Sequence, residues 1–148
     1  MSGRSGPFWD SLEGRTPLPH AAATLGMELI DADIEAGTIE LSFTGIEDWT
    51  NPSGNVLGAF VAAMLYDTVG PTLLSTLEPD QFQSTLQLNV NLLRPVRPGK
   101  VIARGRVVHR VGDLAFLEAS LHDTDSTVIA TATATARVIP LSEAAAAA

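Results

Sequence analysis

Residues 51–74, NPSGNVLGAFVAAMLYDTVGPTLL, open as a turn and pass directly into an apolar run. Asn, Pro, Ser and Gly each favour a turn, through side-chain bonds to the backbone, a fixed φ, or freedom at positive φ. The run from Val56 to Leu77 is long enough for a substantial helix. Gly58, Ala59, Ala62 and Ala63 give that helix a small-residue side, suited to lying close against a sheet. Pro71 lacks an amide and crowds the preceding turn, which predicts a kink or an end near Gly70. Tyr66 and Asp67 interrupt the apolar run near its middle.

Strand patterns flank this segment. Upstream, strands are expected near 25–34 and 37–45, joined at Glu35, Ala36 and Gly37, with IELSF (39–43) alternating apolar and polar. Before them, residues 7–15 suit a short amphipathic helix with Phe8, Trp9 and Leu12 on one side, followed by the turn TPLPH. Downstream, in STLQLNVNLL, Leu86, Leu88, Val90 and Leu92 alternate with Thr85, Gln87, Asn89 and Asn91. RPVRPGK reads as a turn. In KVIARGRVVHR, Arg104, Arg106 and Arg110 share one face and Val101, Ala103 and Val107 the other. Turns at VGD and DTDS bound LAFLEASLHD, and Thr131, Thr133 and Thr135 oppose Ala130, Ala132, Ala134 and Ala136 in the last strand.

Four consecutive long strands with short turns predict an antiparallel meander. Six strands expose an apolar face that only one helix is long enough to cover. The expected class is therefore α+β: a curved six-stranded antiparallel sheet wrapped around one long central helix, as a single domain over residues 1–148. Residues 1–19 form its N-terminal helix and turn, and the alanine-rich tail, 141–148, is expected to be disordered.

The net charge of −8 excludes general nucleic-acid binding, which relies on many basic contacts. Its distribution is uneven: residues 1–93 hold Arg4 and Arg15 against twelve acids, whereas residues 94–110 hold six cations and no acid. That basic island is either a local site for a small phosphorylated ligand or a solvated strand face. With no cysteine and three scattered histidines, neither a disulfide framework nor a metal site is expected, and a reducing, cytoplasmic setting fits. No stretch reaches the ~20 apolar residues of a membrane span, so no membrane partner is expected.

NPSGNVLGAFVAAML followed by STLQLNVNLLRPVRPGKVIARGRVVHRVG resembles the hotdog-fold acyl-CoA thioesterases of the phenylacetate-degradation (PaaI-like) type. The likeness spans roughly residues 20–140 and is most specific in the Asn-x-x-Gly turn and the Leu-Arg-Pro strand ending. It implies a homodimer or dimer of dimers with active sites between subunits. The implied activity is hydrolysis of a fatty or aromatic acyl-CoA, with coenzyme A as part of the substrate and no further cofactor. Gly58 matches the family's oxyanion donor, and a helix N-terminus with no Cβ is physically suited to that work. Asn51 matches an asparagine that orients the attacking water or the loop, and Thr85 a hydroxyl that helps hold the water. Arg94, Arg97, Lys100 and Arg110 match the nucleotide-contact region, and Gly112 a family turn, although Asp113 stands where a basic residue is frequent.

Three positions depart from the family. Its carboxylate lies eight residues after the oxyanion glycine, where this chain has Tyr66, with Asp67 one place later and about 100° round the helix. Leu57 replaces a common His or Gln, and Ala59 a second glycine. With Phe60, these residues imply an altered, apolar substrate pocket on a kept scaffold. Asp67 is either a base of raised pKa or an anchor for the helix, and Tyr66 either an acid or a cleft-filling ring. Besides hydrolysis, two alternatives follow: acyl-CoA binding without cleavage, and different carbonyl chemistry in the same cleft.

Overall fold

A computed structural model describes residues 4–147; Met1–Gly3 and Ala148, assigned above to the N-terminal segment and the tail, lie outside the described residues. In chain order the elements are α1 (Pro7–Leu12), α2 (His20–Thr24), β1 (Glu28–Asp33), β2 (Thr38–Gly45), a 3₁₀ turn (Glu47–Trp49), α3 (Gly58–Leu74), β3 (Gln81–Leu92), β4 (Gly99–Val111), β5 (Leu114–His122) and β6 (Val128–Pro140). The strands make one antiparallel sheet in the order β1-β2-β4-β5-β6-β3, and α3 packs across its inner face. The expected six-stranded, one-helix architecture is therefore present.

The meander is correct only for β4, β5 and β6. β3 does not pair with β4; it pairs with β6 and forms the sheet edge, while β4 pairs with β2. RPVRPGK is thus no hairpin turn but a connection across the end of the sheet. Its two prolines cannot donate ladder bonds. Leu93 and Arg94 instead donate their amides to the Ile129 carbonyl at 2.9 and 3.0 Å, and the Val96 carbonyl accepts the Val56 amide at 2.8 Å.

Two bulges change which side chains face the helix. The β3–β6 register slips between Thr85 and Gln87, so Thr85 opposes Ala136 while Leu88 opposes Ala134. Paired residues share a face. Thr85 and the later even-numbered residues therefore lie on the inner side, and Leu86, expected there, is the extra residue and is exposed. A second slip between Val107 and His109 sets Arg110 opposite buried Ala115, on the other side of the sheet from Arg104 and Arg106. Arg110 does not share their face.

α3 does not stop at Gly70. It continues through Pro71 to Leu74, and its own Val69, Thr72 and Leu73 are buried, so packing holds the final turn despite the missing amide. Thr72 donates its hydroxyl to the Thr68 carbonyl at 2.6 Å. Close approach of helix and sheet is provided from the sheet side. Val61, Met64, Leu65 and Thr68 are buried, as are Ala103, Ala132 and Ala134 of the sheet, and Thr68 and Thr72 lie against Gly105, whereas Ala59 is exposed and Ala62 and Ala63 are half-buried. A Cβ at Gly105 would collide with the Thr72 hydroxyl.

The N-terminal helix ends at Leu12, and α2 takes His20 from the expected turn and fills the residues between that turn and the strand expected from about 25. The tail is not featureless: Leu141–Ala146 forms 3₁₀ turns, begun by the Leu141 amide donating to the Asp80 carbonyl at 2.7 Å.

Candidate active site

The start of α3 is shaped by the turn before it. Asn51 accepts the amides of Ser53 (2.9 Å) and Asn55 (3.1 Å) on its side-chain oxygen, and Gly54 takes φ 81°. The Asn51 carbonyl oxygen of the side chain is thereby committed to the loop, leaving its NH₂ as the group that can donate elsewhere. The Leu57 amide donates to the Trp49 carbonyl at 2.8 Å, which directs the chain into the helix. No side chain caps α3, and the first-turn amides of Gly58 and Ala59 donate no hydrogen bond among the described residues. They are orphan donors at the positive end of the helix dipole.

Gly58 opens onto a cavity of about 260 Å³ shared with Asn51, Asn55, Leu92 and Arg94. A Cβ there would stand 2.7 Å from the Leu92 Cδ1, so glycine lets that side chain lie close over the start of the helix. Leu57 and Ala59 point outward and are exposed, and Phe60 stacks on Trp49 with ring centroids 4.7 Å apart. None of these three lines that cavity.

Asp67 lies in a second, larger cavity of about 400 Å³, with Tyr66 at its rim, Gly70 and Leu74 beside it and Gln83 of β3 opposite. Burial among these groups pushes its carboxyl up from 3.8 to about 6. Among the described residues no hydrogen bond anchors the carboxylate, so the helix-anchor reading finds no partner there. Thr85 is buried and donates its hydroxyl to the Gln83 side-chain oxygen at 3.2 Å, and the Gln83 amide nitrogen would lie 3.1 Å from a Cβ at Gly70. Gln83 therefore links Thr85 to the Asp67 cavity.

Gly58 and Tyr66 are eight residues apart on one helix, about 12 Å along its axis. A single chain does not bring the Gly58 amide and the Tyr66–Asp67 pair to one carbonyl. The cations divide similarly. Arg94 lines the Gly58 cavity, and Arg97 donates to the Gly54 carbonyl at 3.5 Å. Lys100 pairs with Glu28 at 3.6 Å, Arg104 with Glu40 and Arg106 with Glu118. Arg110 bonds the Gly112 carbonyl at the opposite end of β4, where Gly112 takes φ 58° in the hairpin turn. Of these cations, Arg94 and Arg97 are the two that lie at the helix start among the described residues.

The family model described as the acyl-CoA thioesterase N-terminal domain matches residues 46–137, which include α3, β3 to β5 and most of β6. The chain belongs to the acyl-CoA thioesterase family. Its fold is similar to that of a phenylacetic acid degradation-related protein of Ralstonia eutropha JMP134, with 35% identity and a TM-score of 0.83, covering 88% of this chain and 98% of that one. A thioesterase of Haemophilus influenzae shares the fold at 22% identity and TM-score 0.79, over 93% and 94% of the two chains. The PaaI protein of the E. coli phenylacetic acid degradation operon does so at 15% identity and TM-score 0.78, over 89% and 93%. No curated protein matches the chain.

This thioesterase accordingly has the hotdog fold and the PaaI-like kinship its sequence suggested, and is a thioester hydrolase by family. Sequence reasoning missed Gln83 and the contribution of α1, whose Phe8, Trp9 and Leu12 line the Asp67 cavity of the thioesterase. The amphipathic spacing of those three residues was the available signal; nothing in their spacing says which element they cover. No helix of the described residues is long and apolar enough to cross a membrane.

Proposed function

We propose that this thioesterase hydrolyses fatty or aromatic acyl-CoA as a homodimer or dimer of dimers, with Asp67 as the base. The observation that carries the reading is Asp67 itself, a carboxyl raised to about 6 in an apolar cavity, with an undonated glycine amide at the head of its helix. Asp67 takes a proton from water as the water oxygen attacks the thioester carbon. The Gly58 amide of a second copy holds the resulting oxyanion. Collapse expels the coenzyme A thiolate, which is reprotonated, and the acid leaves. Arg94 and Arg97 hold the substrate's phosphates near the helix start, and no cofactor is needed beyond the coenzyme A of the substrate. Asn51 and Thr85 steady the loop and, through Gln83, the cavity wall.

Two supports favour the pairing of chains. The 12 Å scale between Gly58 and Tyr66 requires a second copy to complete the site, and β3 is a 12-residue edge strand carrying exposed Leu86 and Leu92. A reducing cytoplasmic setting suits a chain without cysteine. Thiol release from an acyl-CoA panel tests the reading, and no release from any aliphatic or aryl substrate sinks it. A second reading, binding without cleavage, is favoured by Tyr66, which stands in the carboxylate register and is 39% exposed. A ligand-dependent rise in melting temperature with no turnover is its expected outcome.

A further inference from the structure

We propose that residues 5–19 form the specificity wall of the acyl site, and that this wall admits an uncharged acyl or aryl group and rejects one ending in a carboxylate. The inference rests on the Asp67 reading above. The cavity, at about 400 Å³, is of a size that holds small ligands. α3 supplies the side carrying Asp67, β3 the side carrying Gln83, and residues 5–19 the side opposite, with Phe8, Trp9 and Leu12.

Charge sets the first half of the selectivity. The charged residues lining the cavity are Asp67 and Glu78; no lysine, arginine or histidine lines it among the described residues. A distal carboxylate would lose its water, gain no cation and meet two acids. Size sets the second half. Among the described residues, the backbone hydrogen bonds of residues 6–16 close within the segment, the Arg15–Asp10 and Arg15–Glu13 pairs lie inside it, and neighbouring Arg4 pairs with Glu13 and lies 4.1 Å from the Trp9 ring. Among the described residues the segment is thus seated by apolar packing, with half-buried Leu12 and Leu18 against the core and Trp9 buried beside Phe8. Its side chains, rather than shared ladder bonds, determine how deep the cavity is.

The test measures kcat/KM for acetyl-, hexanoyl-, decanoyl-, phenylacetyl- and succinyl-CoA in the wild type, Leu12→Ala, Phe8→Ala and Leu12→Trp. Calorimetry on hexyl- and decyl-CoA thioethers, which cannot be hydrolysed, accompanies it. The alanine variants are expected to shift the decanoyl-to-hexanoyl ratio upward about tenfold or more, and Leu12→Trp to shift it downward. Succinyl-CoA is expected to react about 100-fold or more slowly than hexanoyl-CoA in every variant. Half-buried Phe8 keeps the test open if the Leu12 variants fail to fold. Unchanged ratios in both assays overturn the wall, and succinyl-CoA turned over as readily as hexanoyl-CoA overturns the charge rule. If no thiol is released but thioether affinities shift with the variants, hydrolysis fails and the wall stands.

Discussion

At the scale of single residues, Asp67 links chemistry to stability. Burial raises its carboxyl from 3.8 to about 6, so the neutral form is favoured by the fold. Below about pH 4 the group is neutral in folded and unfolded chains alike. Between about pH 4 and 6 the unfolded chain releases its proton first, so stability falls as pH rises, by on the order of 2 kcal/mol, and levels off above 6. Asp67→Asn is expected to abolish that slope in melts taken from pH 4 to 7 and to leave the variant more stable at neutral pH. The same substitution is expected to lower kcat by roughly 10²–10⁴, and the wild-type kcat/KM to rise through an apparent pKa near 6. A flat profile would reassign the base. Tyr66→Asp, which puts a carboxylate in the family register, is expected to raise turnover if the binding-only reading holds, as a thiol-release assay would show.

Among elements, α3 and β4 approach closely at Gly105. Gly105→Ala would force a methyl group onto the buried Thr72 hydroxyl, an overpacking worth about 2–3 kcal/mol. Calorimetry is expected to show a melting temperature lower by roughly 5–10 °C. This scale also shows where the sequence was legible. Alternation located β2, β4, β5 and β6 because one face of each is apolar and the other wet. It failed at Leu86 and Val108, because an inserted residue reverses the alternation without altering composition, and that reversal brings Thr85 inward and turns Arg110 away from Arg104. The β3 edge was illegible for another reason: adjacency in sequence favours a hairpin, and the β3–β6 pairing is settled by the helix that must be wrapped. At the site, the Asn51 turn and Gly58 were readable from local chemistry, whereas the cavity around Asp67 needs α1, which is remote in sequence.

For the whole molecule, the decisive matter is that the two halves of the machinery sit about half the length of α3 apart. Gly58→Pro removes the amide at a helix position that tolerates proline, and Leu57 already has the extended backbone, φ −58° and ψ 138°, that a following proline requires. Alone, Gly58→Pro and Asp67→Asn homodimers are each expected to be inactive. Mixed after unfolding and refolding, they are expected to recover about a quarter of wild-type activity, since half the pairs are hybrids with one intact site. No recovery, with hybrids verified by native mass spectrometry, would place both groups in one chain's site.

The connection across residues 93–98 bears on how a nucleotide would be received. Both of its first amides are tethered to Ile129, its Val96 carbonyl is tied to Val56, and Pro95 and Pro98 restrict the rest, so the backbone beneath Arg94 and Arg97 is already constrained. Capture of a phosphate there would sacrifice little chain freedom, and the toll would fall almost wholly on two guanidinium side chains.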